Sequence, residues 1–403
     1  MHKGGVGRAL SRMPIRRVQG VMRFIHTADW QLGMCAAQAG LRAAEVREAR
    51  LTAARRVVEW AGAHAAEMIL VAGDTFENHA VPRGLAQQAA DILGAFSGPV
   101  FLLPGNHDPW QPGSLWHHPA WRSYPNIRIL EKREPILLPG AVLYPCPVFA
   151  AHSREDPTAW IPRHEDRATI AVGLAHGSLR GVSADDDHPI DPAVVERAGL
   201  DYLALGHWHS ISPDLSTGPA RAVYSGTHET TKFGERDSGN VLLVEIDGPG
   251  AMPKIVPLRT GILRWERIAS ELRSGDELDD LIERIDRWEQ PERTLLEVEL
   301  SGTISVEKRP LIERLCELAD ARMLFFRCCD ERLRPRPDDS RWIDELPSAA
   351  WCEAARRLHL WACGAGDGVP ILAEEWKGFE PNISKVAAGA LMELYSLWHE
   401  SRR

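Results

Sequence analysis

Five short stretches of this chain share one design: an apolar run stops abruptly and hands over to residues that bind metals. They are Ile25-His26-Thr27-Ala28-Asp29-Trp30-Gln31, Leu70-Val71-Ala72-Gly73-Asp74, Phe101-Leu102-Leu103-Pro104-Gly105-Asn106-His107-Asp108-Pro109, Val172-Gly173-Leu174-Ala175-His176 and Leu203-Ala204-Leu205-Gly206-His207-Trp208-His209. Apolar runs of this length, bounded by turn residues, read as buried strands. Carboxylates, imidazoles and an amide at five strand ends point to a metal site.

The order of elements says where that site lies. From Met22, residues 23–27 form a strand, 41–65 a helix rich in Ala, Arg and Glu, 68–72 a strand, 82–96 a helix with Pro at its start, and 100–103 a strand. This βαβαβ order implies a mainly parallel sheet covered by helices, with ligands gathered outside the carboxyl ends of the strands. Strands are also expected at 127–130, 136–144, 169–174, 202–205, 222–224, 241–246 and 254–258, some of them forming a second sheet. Residues 150–166 are polar and interrupted by Pro, as in a surface loop. After Leu258 the pattern becomes helix 278–288, strand 295–300, helix 310–321 and strand 323–328, a small appended domain. Arg334-Pro335-Arg336-Pro337-Asp338-Asp339 reads as linker, followed by helices over 349–362 and 384–400.

A pair of divalent cations about 4 Å apart can activate water, clamp phosphate oxygens and neutralise a leaving oxyanion. Such a pair requires a bridging carboxylate and a mixture of imidazole and oxygen ligands. Asp29, Asp74, Asn106, His176, His207 and His209 supply that mixture. Residues two apart in extended backbone face the same way, so Asp29 with Gln31, and His207 with His209, can each converge while Trp208 points away.

The ordered series Asp29-Trp30-Gln31, Gly73-Asp74, Gly105-Asn106-His107-Asp108, His176 and Gly206-His207-Trp208-His209 resembles the five motifs of the calcineurin-like metallophosphoesterases. The opening Ile25-His26-Thr27-Ala28-Asp29-Trp30-Gln31-Leu32-Gly33 is similar to the SbcD-type DNA repair nucleases, the nuclease half of complexes with an SMC-like ATPase. The motifs span about half the chain. The resemblance implies a four-layer α/β/β/α sandwich with a small α+β cap domain and a helical tail. It divides the chain into a basic extension (1–21, expected to be disordered), a phosphoesterase domain (22–258), a DNA-positioning cap (259–334), a linker (335–348) and a partner-docking helical tail (349–403).

Carried over by position, one metal would take Asp29, Gln31, Asp74 and His209, and the other Asp74, Asn106, His176 and His207, with Asp74 bridging. His107 would assist at the scissile phosphate without binding metal, and Asp108 would orient its imidazole. The implied cofactors are two divalent ions, Mn²⁺ first and Mg²⁺ second. One departure matters: the family's first motif usually ends in His, whereas here it ends in Gln31, whose neutral carbonyl favours oxygen-loving Mn²⁺ or Mg²⁺. Glu77 stands where the family often has Asp, in a supporting position. The implied partners are DNA, a coiled-coil ATPase of the SMC type and a second copy in a homodimer.

Other histidines read differently. His26 is expected to support its loop, His228 to pack, and His117, His118, His152, His164 and His188 to be solvated. The charge of -9 argues against a surface coated in nucleic acid, because phosphate binding is dominated by Lys and Arg. Bound divalent metals would themselves supply positive charge at a phosphate site. Seven cysteines without a C-x-x-C pair suggest reduced thiols in a cytoplasm, and no apolar run approaches the roughly 20 residues of a membrane span. The rival readings are a phosphoesterase acting on small nucleotides or phosphoproteins, and a catalytically weakened scaffold that binds DNA or a partner, for which Gln31 is the support. The tail helix has an apolar face made by Val386, Ala390, Leu391, Leu394, Leu397 and Trp398, which either packs back on the cap domain or docks on a helix of a partner with Leu394 and Trp398 as anchors.

Overall fold

The structure, a computed structural model, describes residues 21–181, 186–273, 275–305, 307–336, 339–363 and 383–401. The expected basic extension lies outside the described residues, apart from Val21. The chain divides into two compact units that meet between Trp265 and Glu266, later than the change of character after Leu258.

In the first unit, β1 (Met22–Thr27), α1 (Ala43–Ala63), β2 (Met68–Ala72), α2 (Arg83–Gly94), β3 (Val100–Leu103) and β4 (Ile127–Ile129) realise the expected βαβαβ order. Strands β1 to β4 are parallel neighbours; β1, β2 and β3 are fully or largely buried, as a doubly covered sheet requires, and the edge strand β4 is half-buried. A second set follows: β5 (Ile136–Leu138), β6 (Ala141–Cys146), β7 (Ile170–His176), α3 (Val194–Ala198), β8 (Tyr202–Gly206), β9 (Ile211–Ser212), β10 (Ala222–Ser225), β11 (Asn240–Ile246) and β12 (Lys254–Arg259). The single strand expected over 136–144 is broken into an antiparallel hairpin, because Gly140 turns the chain at φ 67°.

The first sheet runs β12-β11-β1-β2-β3-β4 and the second β5-β6-β7-β8-β10-β9. The inner faces meet in one core, where Phe24, Leu70 and Phe101 of the first sheet lie with Leu143, Leu174 and Tyr202 of the second. Helices α1 and α2 cover the first sheet through Val57, Ala61, Ala89 and Leu93. The outer face of the second is covered more thinly, by short α3 and by Trp160 and Ile161 of the polar loop. These are the four layers expected. Because β1, β2, β3, β7 and β8 all end at the same edge, the five motifs come together there.

The second unit contains β13 (Arg264–Leu272), which begins just before it, α4 (Asp276–Asp286), β14 (Thr294–Ser305), α5 (Pro310–Arg322), β15 (Phe325–Arg336), α6 (Ala349–Cys363) and α7 (Ile383–Glu400). Strands β13, β14 and β15 form a three-stranded sheet, and α4 and α5 pack on one face of it through Leu281, Ile285, Leu315 and Ala319. Residues 334–336, expected as linker, continue β15 because they pair with Thr303, Ile304 and Ser305 of β14. Leu391 and Tyr395 of α7 are buried against Trp342, Ile343 and Ala355, with Leu394 and Trp398 packed on the same cluster. The expected docking anchors are thus half-buried against the chain's own cluster, while Val386 and Leu397 are the exposed large apolar residues of α7.

Candidate metal centre

The candidate ligand side chains are delivered here by backbone that few residues tolerate. Asp29, Gln31, Asp74 and His207 all have positive φ (54°, 40°, 52° and 106°), a conformation unfavourable for residues with a Cβ and concentrated at functional sites. The turns that hold them are cross-braced. Asp29 N donates to Gly73 O at 3.1 Å and Gln31 N to Asp74 O at 2.9 Å. His207 N donates to both carboxylate oxygens of Asp29, at 3.0 and 3.1 Å. His107 N donates to Asp74 Oδ1 at 2.9 Å.

Ligand atoms of Asp29, Asp74 and His176 lie within 4.8 Å of one another, and all three residues are buried. His176 Nδ1 donates to the Ala72 carbonyl at 2.8 Å, which fixes the ring and turns Nε2 toward the cluster. Asn106 Oδ1 accepts from His176 Nε2 at 2.8 Å and from His207 Nδ1 at 3.1 Å, so β7, β8 and the loop after β3 meet at one amide. His209 Nδ1 is held by Glu235 Oε1 at 2.9 Å, a carboxylate-imidazole pair of the kind that orients metal-binding histidines. Gln31 is placed at the site by its backbone; among the described residues its side chain makes no hydrogen bond.

The electrostatics fit a cation. Burial raises the Asp29 carboxyl to about 6, with the negative charge of Asp74 adding to the effect. Burial also opposes ionisation of Asp74, but His176 outweighs it and holds the carboxyl below its ordinary range. His176 is pushed above its ordinary value despite burial, through Asp74 and then Asp29. Two buried carboxylates so close together call for a positive charge, which in this structure an imidazolium supplies and a divalent ion would supply more strongly. The residues therefore fit the group.

Asp108 requires a correction. It does not orient His107: its carboxylate accepts from Gly105 N at 2.7 Å and Phe76 N at 2.9 Å, clamping two turns whose amides have no strand partner. The His107 ring is held by the Glu77 carbonyl, 2.9 Å from Nδ1, and is exposed at the rim. Burial, then the charge of Asp74, raise the Asp108 carboxyl to about 7.

Sequence reading missed Arg50, on α1. Its guanidinium, 1% exposed, donates to the carbonyls of Trp30, Glu229 (2.7 Å) and Asp29 (3.3 Å) and to Thr227 Oγ1 (3.2 Å), tying the first motif to the loop after β10. Nothing in a helix rich in Arg and Ala marks one arginine as buried. Glu235 also lacked a local signal. His26 is structural, bonded to Tyr202 and the Leu205 carbonyl, and His228 packs on Trp30 and donates to Arg50 O. His188, expected in solvent, is buried and bonded to the Ala150 carbonyl.

Residues 22–210 match the calcineurin-like phosphoesterase family. They form a calcineurin-like metallophosphoesterase domain. This phosphoesterase region is similar to the uncharacterized metallophosphoesterase YhaO of Bacillus subtilis (strain 168), 24% identical over 254 residues, 60% of each chain. It is also similar to the SbcD component of nuclease SbcCD from Staphylococcus saprophyticus, 22% identical over 272 residues, 59% of this chain and 69% of that one. Among solved structures, TT1561 of Thermus thermophilus aligns at 13% identity and TM-score 0.38, covering 59% of this chain and 100% of that one. No helix among the described residues is long and apolar enough to cross a membrane.

Proposed function

We propose that this protein is a divalent-metal-dependent DNA nuclease, a phosphodiesterase that works in the cytoplasm with a coiled-coil ATPase of the SMC type. The observation that carries the reading is the buried Asp29-Asp74-His176 cluster at the shared edge of two sheets. The similarity to the SbcD component of nuclease SbcCD supports a nucleic-acid phosphodiester as substrate and a second subunit as partner. In this reading Asp29, Gln31, Asp74 and His209 hold one cation, and Asp74, Asn106, His176 and His207 the other. Bound there, the ions supply charge against the phosphate oxygens and lower the pKa of water.

The chain's own residues do the rest. Glu235 and the Ala72 carbonyl fix two imidazoles, and Arg50 fixes the loop that carries Asp29 and Trp30. His107, held at Nδ1 by Glu77 O, keeps Nε2 for the phosphate, where in its protonated form it donates to the departing oxygen. Asp108 acts by holding the turn that carries His107. Residues 259–334 are proposed to position DNA, and the helices beyond 349 to dock the ATPase; a homodimer is the proposed assembly.

The test is digestion of end-labelled single- and double-stranded DNA with Mn²⁺ or Mg²⁺, with and without ATP and the partner. Metal-dependent cleavage lost in Asp74→Ala is the expected result. Hydrolysis of a small phosphodiester without DNA cleavage would leave a general phosphoesterase. DNA binding without hydrolysis of either substrate would leave a scaffold weakened at Gln31.

A further inference from the structure

Among the described residues of the first unit, two aromatic side chains are exposed, Phe149 and Trp208, each 41% accessible. Single exposed apolar residues are ordinary, but these two share a location. Phe149 follows the carboxyl end of β6, and Trp208 follows that of β8. Between them runs β7, parallel to both, whose last residue is the candidate ligand His176. With neighbouring strands about 4.8 Å apart, the ends of β6 and β8 that lead into these two residues are roughly 10 Å apart, with His176 at the end of the strand between them.

Both are presented from fixed backbone. Trp208 stands between His207, whose N–H is bound by Asp29, and His209, whose carbonyl accepts from Thr227 N at 3.0 Å. Its indole has no ring contact or hydrogen bond among the described residues. The Phe149 backbone is bracketed by Val148, which is bonded to Pro104 and Trp110, and its own carbonyl accepts from Gln111 Nε2 at 3.2 Å. The Arg133 guanidinium carbon lies 5.3 Å from the centre of its ring, adding a cation beside the aromatic face.

We infer that Phe149 and Trp208 are base-stacking platforms on either side of the scissile phosphate, so that the site takes a locally single-stranded nucleic acid with its bases splayed. The inference rests on the nuclease reading and specifies the form of its substrate. Every base has a stackable face, so such platforms grip a strand without reading its sequence, and duplex DNA must open to use them.

The test uses a short single-stranded oligonucleotide with one cleavable linkage, the others protected as phosphorothioates, and an abasic sugar on the 5′ or the 3′ side of that linkage. Trp208→Ala and Phe149→Ala should each lower kcat/KM on the intact strand roughly 5- to 150-fold, mainly through KM, with Mn²⁺ content unchanged. Each variant should lose nothing further on the abasic substrate that removes its own base, and the two should answer to opposite sides. Trp208→Phe should recover most of the loss. Losses that add on both abasic substrates, unchanged kinetics, or loss of Mn²⁺ from Trp208→Ala would overturn the inference. If the wild type hydrolyses bis(p-nitrophenyl) phosphate but no oligonucleotide, the nuclease reading falls and takes this inference with it; a cleaved oligonucleotide indifferent to both aromatics sinks the stacking alone.

Discussion

Gly105→Ala should disable the site without removing any functional side chain. A Cβ at position 105 would fall 2.9 Å from Asp74 Cγ and closer still to its Oδ1 and backbone N, a separation that real Cβ atoms essentially never show. Asp74 cannot swing aside freely, since its Oδ1 accepts from His107 N and its backbone carbonyl from Gln31 N. Relief requires the third motif to retreat on the order of 1 Å, and a misplacement of that size costs about 100-fold in rate, while overpacking costs about 1–3 kcal/mol of stability. Gly84→Ala, in α2 with nothing within 4 Å of the new methyl, is the control and should not lose stability. The assays are Mn²⁺-dependent phosphodiester hydrolysis and urea unfolding. A Gly105→Ala enzyme with wild-type rate, stability and Mn²⁺ content would refute the packing argument.

His107→Ala should lower cleavage by about 10²–10⁴-fold and leave metal content unchanged; elemental analysis showing an emptied site would make His107 a ligand instead. Gln31→His should lower the Mn²⁺ concentration for half-maximal activity, because a neutral amide carbonyl is the weaker ligand for a transition metal, and an unchanged titration would remove Gln31 from the ligand set. His26 sits at about 3, against an ordinary 6.5, because burial disfavours its charge. The unfolded chain therefore takes up the proton first, and stability present above pH 6.5 is lost as pH falls toward 3. At pH 5 His26 accounts for about 2 kcal/mol of that loss, so His26→Gln should flatten unfolding free energy between pH 7 and 5 by this amount; parallel curves would contradict it.

What the sequence made legible was governed by local pattern. Strands β2 and β3 were readable to the residue because short apolar runs ended in Gly-Asp and Pro-Gly-Asn. The cluster was readable because each of its candidate ligands, Asp29, Asp74 and His176, sits at or within two residues of a strand end, so topology alone gathers them. Asp108 was misread because its partners, Phe76 N and Gly105 N, are set by turn geometry rather than by residue type. Arg50 escaped because its partners are 20 to 179 residues distant, and Glu235 because the imidazole it holds is 26 residues away, while its nearby partner Thr231 says nothing of His209. The apolar stripe of α7 was legible, but its destination was not: Leu394 and Trp398 pack beside Trp342, a residue from the stretch expected to be linker.

The central claim is that Asp74 joins two divalent cations at the meeting point of the five motifs. Anomalous diffraction from crystals grown with Mn²⁺ tests it most directly. Two peaks should appear, both touching Asp74, one shared with Asp29 and the other with His176, and both should vanish in Asp74→Ala. Manganese bound elsewhere on the chain, with no peak between Asp29, Asp74 and His176, would contradict the account.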